Sequence, residues 1–324
     1  MPHRIVGSIL AATDLTEGSD VVLRAAGWLA RALCAELHVV HALEFPFADF
    51  PGLRGTTASF RDRAGEAVEF LDEQIARTLP PGTVAASRQV LIRRAPRAIF
   101  DRAREVEADL VVLGPHRSRG RADGFLGTTA DRVIRSSDTP CLIVRENLSL
   151  PLRRVVVPLD LSEPSRGALD LALAWSGALG ASDPDSGLPG TELQVMHVIP
   201  PGSLPADLSF DRAVIGPVLY DEVEAAIARS EHGAAVPVRE EVLWGDEPAR
   251  AILRYAEEGG ADLLVMATHG HGALRRALVG SIASAVARGA GCHVLLVPPA
   301  LWKGDGDELD GEPAGARAAE GGTG

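Results

Sequence analysis

The sequence predicts an α/β protein made of two tandem doubly wound domains, each a five-stranded parallel sheet flanked by helices. Three observations carry this prediction. The 324-residue chain is long enough for two ordinary domains. Its second half repeats the order of motifs found in its first half. Short apolar runs alternate with helical patterns in both halves, as expected of successive βαβ units.

The repeat is visible in four pairs of matching segments. At the Asp14–Asp160 match the offset is 146 residues, at the His41–His197 match it is 156, and afterwards it is 153. A Gly/Pro/Asp-rich loop at 180–191 supplies most of the extra residues. The matching pairs are 9–19 with 155–165, 37–43 with 193–199, 94–116 with 246–269, and 126–144 with 279–297. The predicted domains are 1–147 and 153–299, followed by a disordered acidic tail at 300–324.

Each half contains five predicted strands and four predicted helices. The strand candidates lack a polar alternate face, which indicates a parallel sheet covered on both sides. Right-handed crossovers then wind each sheet in both directions from its centre. The predicted strands are 4–12, 37–43, 84–92, 109–114 and 141–144, then 154–159, 193–199, 236–243, 262–267 and 293–297. The predicted helices are 19–35, 59–78, 96–107 and 128–136, then 165–179, 217–230, 248–258 and 281–289.

Composition excludes several classes of function. The net charge of −12 gives the chain no broad attraction for nucleic acid. The chain has no run of eighteen apolar residues, so we expect no membrane span. Three widely spaced cysteines argue against a disulfide framework and favour a reducing cytoplasm. The only lysine is Lys303, which excludes a Walker-type phosphate loop in the folded part.

A ligand of such a sheet is expected outside the carboxyl ends of the strands, where the winding direction switches. In the second half, the end of the first strand brings Asp160 there, and the end of the second brings His197 and Val198. The loop after the fourth strand leads into a helix at Gly280-Ser281. A Ser at that start can cap free N–H groups, and the same groups with the helix dipole can hold an anion.

These residues resemble the universal stress protein domain. Members of that family carry an early strand-end Asp and a loop of the form G-x2-G-x9-G-[S/T]. Here Gly270 is followed by nine residues and then Gly280-Ser281, between "ADLLVMATHG" and "GCHVLLVP". The resemblance covers both halves and roughly 300 residues. It implies a tandem universal stress protein with adenine nucleotide alpha hydrolase-like sheets, and ATP binding in one subgroup.

The resemblance also implies site residues for ATP, with Mg²⁺ as a possible companion. In the second half, Asp160 would approach the adenosine or its ribose, Val198 would lie beside adenine, and Gly270, Gly280 and Ser281 would surround ribose and phosphates. The matching first-half positions are Asp14, Ala42, Gly114, Gly127 and Thr128.

Both halves depart from the family's pattern. Ala267 stands where the first glycine belongs in the second half, and Arg117 replaces the second glycine in the first half. A methyl group at Ala267 is tolerated unless the ligand passes closely. Arginine can neutralise phosphate, or its bulk can fill the pocket.

Family domains usually pair through their last strand. The resemblance therefore implies that segments 140–144 and 292–297 join the two halves across a pseudo-twofold axis as an intramolecular pseudo-dimer. Two such chains can associate further into a homodimer, and the protein partner is unknown.

Several alternatives stay open at this stage. His116, His269 and His271 lie in glycine loops and are read as polar loop residues or, less readily, as metal ligands. His41 and His197 are interpreted as satisfied, half-buried histidines rather than general bases. The chain shows no nucleophile signature, so no catalytic residue is assigned. Three classes of function remain: a nucleotide-responsive regulatory protein of the stress response, a nucleotide-free interaction module, and a slow ATPase.

Overall fold

A computed structural model describes most of the two repeats. It describes residues 6–44, 57–114, 126–180, 190–200, 212–230, 236–270 and 279–299. The predicted tail at 300–324 and the loop residues Arg117, His116 and His271 lie outside these ranges.

The described residues form ten strands and eight α-helices in the predicted order. First-half strands are β1 (Ser8–Thr13), β2 (Glu36–Ala42), β3 (Ser87–Leu91), β4 (Leu110–Leu113) and β5 (Cys141–Ile143). First-half helices are α1 (Asp20–Leu33), α2 (Thr57–Thr78), α3 (Ala95–Glu105) and α4 (Thr128–Ser136). Second-half strands are β6 (Arg154–Pro158), β7 (Glu192–Ile199), β8 (Val238–Trp244), β9 (Leu263–Ala267) and β10 (His293–Val297). Second-half helices are α5 (Glu163–Leu179), α6 (Arg212–Arg229), α7 (Pro248–Gly259) and α8 (Ser281–Gly289).

All ten strands belong to one sheet, in the order β3-β2-β1-β4-β5-β10-β9-β6-β7-β8. Within each half every neighbouring pair is parallel. The winding direction switches between β1 and β4 in the first half and between β6 and β9 in the second. Each half therefore has the doubly wound topology that places a crevice at the carboxyl end of its first strand.

The two halves meet through β5 and β10, which pair antiparallel. Leu142 lies opposite Leu295, and Cys141 lies opposite Leu296. This pairing of the last strands is the one expected from the segments 140–144 and 292–297. It leaves β3 and β8 as the two outer edges of the sheet.

Two buried layers cover the two faces of the sheet. One layer packs α1, α2, α5 and α6 against it, and the other packs α3, α4, α7 and α8. Each layer contains residues from both halves, so the apolar core continues across the β5–β10 junction. Trp175 on α5 is 2% exposed within the first layer. Burying a continuous core of this kind is the main stabilising contribution to the fold.

Some element boundaries differ from the predicted ones for local reasons. Helix α6 begins at Arg212, five residues before the predicted start at 217, and contains Pro217 inside it. Proline fixes a helix-compatible φ but lacks an N–H, so sequence preferences favour it at a helix start, whereas here it lies inside the helix. Helix α5 begins at Glu163, because Ser162 caps it by accepting a hydrogen bond from the Ser165 amide.

Candidate functional site

The carboxyl edge of the second half brings Asp160 and Gly270 together. Asp160 follows β6 and Gly270 lies three residues after β9, so they meet at the switch point. A Cβ atom added to Gly270 would lie 2.1 Å from Asp160 Oδ2. No real side chain tolerates that distance, so the loop requires glycine at this position while Asp160 keeps its place.

Both strand-end aspartates are built into the same turn. The Ser162 amide donates to Asp160 Oδ1 at 3.0 Å, and the Thr16 amide donates to Asp14 Oδ1 at 3.0 Å. The residue between the partners is left-handed in each case, with φ of 66° at Leu161 and 64° at Leu15. A leucine rarely adopts this conformation, so the turn holds each carboxylate at the cost of local strain.

The carboxylate of Asp14 is held in its charged form. Burial raises the pKa of Asp14, but hydrogen bonds from Thr16 and Ser19 lower it by more, so the pKa lies below its usual range. A charged carboxylate at this edge accepts hydrogen bonds from hydroxyl groups and binds hard cations.

Helix α8 of the second half begins with an open amino terminus. Its N-cap is Gly280, which has no side chain, and Ser281 is the first helical residue. The Gly280 amide donates to the Thr268 carbonyl at 2.7 Å, which ties the helix start to the end of β9. The predicted capping by Ser281 is therefore wrong, because Gly280 occupies the cap position; in the first half Gly127 is the N-cap and Thr128 the first helical residue.

The neighbouring strand β7 supplies Val198 and His197. Val198 is half-buried and pairs with Leu243 of β8. His197 Nδ1 lies 2.7 Å from the Leu159 carbonyl oxygen, directly before Asp160. A carbonyl oxygen only accepts, so Nδ1 carries the hydrogen. Ala267 is the last residue of β9 and is buried opposite Val297.

The first half places its candidate residues at equivalent points. Ala42 ends β2, Gly114 follows β4, and Thr128 begins α4 after Gly127. A Cβ atom added to Gly114 would lie 2.9 Å from a methyl group of Val22 on α1, so glycine is favoured there too. The loop between β4 and α4 at 115–125, including Arg117, lies outside the described residues.

The described part of the chain contains no cluster of side chains that could hold a metal ion. No group of three or more His, Cys, Asp or Glu side chains converges among the described residues. His269 Nδ1 lies 2.9 Å from Thr268 Oγ1, and burial lowers the pKa of His269. His116 and His271 fall outside the described ranges.

Family comparison decides the identity of both repeats. The model of the universal stress protein family matches residues 6–145 and again residues 151–298. The chain belongs to the universal stress protein family. It therefore carries two tandem domains of this family, each with a parallel sheet flanked by helices.

Individual relatives of the family extend this finding. A universal stress protein of Methanocaldococcus jannaschii is 32% identical over 162 residues, which cover 48% of this chain and 86% of the relative. A universal stress protein of Synechocystis is 25% identical over 192 residues, covering 58% of this chain and 57% of the relative.

Solved structures of the family share the two-domain fold. A universal stress protein from Archaeoglobus fulgidus matches with a TM-score of 0.59 and 21% identity, over 91% of this chain and 97% of the other. A Pseudomonas aeruginosa structure described as a putative universal stress protein matches with a TM-score of 0.59 and 17% identity, over 90% and 93% of the two chains. Across the described part of the chain, no helix is both long and apolar enough to cross a membrane.

Proposed function

We propose that the second domain binds an adenine nucleotide, ATP, at the carboxyl edge of its strands, and that the protein is a nucleotide-responsive regulator of the stress response. The close approach of Gly270 to Asp160 at the switch point carries this proposal. Together with the open start of α8, it brings backbone amides and one carboxylate to the same edge.

We assign the phosphate groups of the nucleotide to the start of α8. The Ser284 amide donates to the Gly280 carbonyl at 2.9 Å and is the first amide bonded within the helix. The amides of residues 281–283 precede it and have no intrahelical acceptor. The first turn of α8 contains no acidic residue, so its positive end is not neutralised from within the helix. The free amides of residues 281–283 and the positive end of the α8 dipole together favour the binding of an anion.

We assign the adenine base of the nucleotide to the backbone of Val198. The Met196 carbonyl accepts from the Leu159 amide at 2.8 Å and so faces β6. Backbone groups two residues apart on a strand face the same neighbour, which turns the N–H and C=O of Val198 toward β6 as well. Because β6 ends at Pro158 and the chain turns at Leu161, an adenine edge fits beside Val198 in place of a strand.

Asp160 is assigned to the sugar. Its Oδ1 accepts from the Ser162 amide and hydroxyl, and its Oδ2 faces Gly270. A carboxylate at this edge can accept hydrogen bonds from ribose hydroxyls or bind Mg²⁺ that bridges it to phosphate. Ala267 ends β9 and Ser281 begins α8, and we assign both to the lining of the nucleotide site.

Melting of the intact protein with and without Mg-ATP tests the proposal. Saturation at about one hundred times Kd should stabilise the protein by roughly 2.7 kcal/mol and raise Tm. Gly280→Arg, which places a bulky side chain at the open helix start, should abolish the shift. Gly291→Arg is the matched control, since a Cβ atom there meets nothing within 4 Å.

The same experiment separates the alternatives. Absence of a Tm shift in the wild-type protein would overturn nucleotide binding and favour the interaction module. A slow ATPase predicts steady phosphate release that disappears in Asp160→Ala.

A further inference from the structure

The same histidine contact occurs in both domains. His41 Nδ1 lies 2.9 Å from the Thr13 carbonyl oxygen, and His197 Nδ1 lies 2.7 Å from the Leu159 carbonyl oxygen. Each carbonyl belongs to the residue before the strand-end aspartate. The contact thus joins the end of the second strand of a domain to the peptide that leads into its candidate ligand site.

The backbone around the two contacts differs. The β1–β2 ladder continues to the pair Thr13–His41. Among the described residues, the β6–β7 ladder contains no pair beyond Pro158–Met196, one pair short of the equivalent point. One further backbone bond follows, from the Leu159 amide to the Met196 carbonyl at 2.8 Å.

A regular parallel ladder would continue in one specific way. The Leu159 amide donates to the Met196 carbonyl, so the Leu159 carbonyl would accept from the amide two residues further along β7, that of Val198. In the second domain that carbonyl instead accepts from the His197 side chain. The imidazole therefore satisfies the carbonyl that directly follows β6, where the ladder no longer supplies a backbone donor.

We infer that His197 is a positioning residue: its Nδ1–H holds the Leu159 carbonyl, so that the Val198 amide stays open at the strand end for the edge of a purine base. This inference rests on the proposed nucleotide site and names the device that keeps it open. A carbonyl left without its donor would draw the Val198 amide back into the ladder, because buried backbone acceptors are costly to leave unpaired. The same contact fixes the peptide between Leu159 and Asp160 and thereby the start of the aspartate turn.

Two substitutions separate this role from direct contact with the ligand. The side-chain amide of His197→Asn places a nitrogen donor near the position of Nδ1, whereas that of His197→Gln reaches the position of Nε2. We expect calorimetric ATP titrations to give His197→Asn an affinity within about threefold of wild type and to weaken His197→Gln about tenfold, the effect of one hydrogen bond. The reverse ranking would overturn the inference and assign His197 a contact through Nε2.

A second measurement does not depend on nucleotide. In protein labelled with ¹⁵N-valine and ¹⁵N-histidine, NMR should show hydrogen on Nδ1 of His197 and fast solvent exchange of the Val198 amide. The Val198 amide should become protected from exchange in His197→Gln as it takes over the Leu159 carbonyl. Equal exchange in the two proteins would overturn the inference.

The outcomes also distinguish this inference from the proposed function. If the wild-type protein binds no ATP, nucleotide binding fails, and with it the ligand role of Val198, while valine exchange still decides whether His197 holds the strand end open. If the wild-type protein binds ATP and His197→Gln binds equally well, the inference fails and nucleotide binding stands. His41→Gln is the matched control, and it should leave ATP affinity unchanged because the first-domain ladder already extends to His41.

Discussion

The two domains share a fold but differ beneath their strand-end aspartates. In the first domain, Thr13 Oγ1 donates to Gln74 Oε1 at 2.7 Å, and Gln74 Nε2 donates to the Thr16 carbonyl at 3.0 Å. In the second domain the position of Thr13 is taken by Leu159, whose side chain is 2% exposed within the apolar layer. The first aspartate turn is thus fastened to α2 by buried polar contacts, whereas the second rests on apolar packing.

The helix starts differ in a parallel way. Helix α4 carries Asp131 in its first turn, paired with Arg135 at 2.8 Å and 3.8 Å from Arg288 of α8. The matching residue of α8 is Ser284, which has no charge. A carboxylate in the first turn competes with a phosphate for the positive end of the helix. The two halves thus share their sheet and core, while the residues under the two crevices differ in charge and hydrogen bonding.

The largest expected effect tests the polar anchor of the first domain. Gln74 is 1% exposed, and Gln74→Leu removes its bonds to Thr13, Thr16, Ser19 and Asp20. The hydroxyl groups of Thr13 and Ser19 stay buried beside the new apolar side chain. We expect a loss of ~3 kcal/mol in the free energy of unfolding, measured in urea. Glu73→Leu, on the exposed side of the same helix, should change it by less than about 0.5 kcal/mol. Equal small effects of both changes would show that the polar contacts do not distinguish the domains.

The next effect transfers a first-domain residue into the second. Gly270→Arg installs the residue that the first domain has at position 117, and its Cβ atom would lie 2.1 Å from Asp160 Oδ2. Either the loop or the Asp160 carboxylate must move, so we expect ATP affinity to fall about 100-fold, or ~2.7 kcal/mol, by calorimetric titration. The Gly291→Arg control should bind as wild type. Unchanged affinity in Gly270→Arg would mean that the glycine loop is not the part of the second domain that holds nucleotide.

The smallest effect concerns the junction strand β10. His293 is 5% exposed and accepts from the Arg145 amide at Nδ1, and burial lowers its pKa to about 4. An unfolded histidine titrates near 6.5, so the unfolded chain binds more protons between pH 6.5 and 4. His293 therefore leaves stability unaffected above pH 6.5 and reduces it as the pH falls toward 4.

The pH effect has a matched variant. At pH 5 the loss should reach ~2 kcal/mol relative to pH 7.5. His293→Asn keeps an acceptor near the Arg145 amide and should remove this part of the pH dependence, as read from urea unfolding at both pH values. The first domain has Pro140 at the matching position and no corresponding titration. Parallel pH curves for wild type and His293→Asn would contradict the assignment.

Sequence alone predicted the order of the elements, and it proposed a site that stays a prediction. The repeats and apolar runs located all ten strands, because buried parallel strands leave a strong periodic signal. The aspartates and glycines were found because strand ends and helix starts have their own residue preferences. Boundaries were less accurate where proline has two uses, as in α6.

Contacts across the fold could not be predicted from the sequence. The sequence indicates a satisfied histidine at position 197, but its partner, Leu159, directly follows another strand and gives no sequence signal. The approach of Gly270 to Asp160 and the contacts of Gln74 likewise depend on how loops and helices settle in three dimensions. The recurrence of histidine at the same point in both repeats was the one available sign of a shared role.

The antiparallel pairing of β5 with β10 has a consequence for how such a protein varies. When two identical chains meet through their last strands, every substitution appears on both sides of the axis at once. In a single chain that supplies both strands, a substitution appears on one side only. The two domains also stay together at any dilution, because they are covalently linked. The crevice of one domain can then change its residues while that of the other domain keeps its own. The covalent linkage fixes the ratio of the two different domains at one to one.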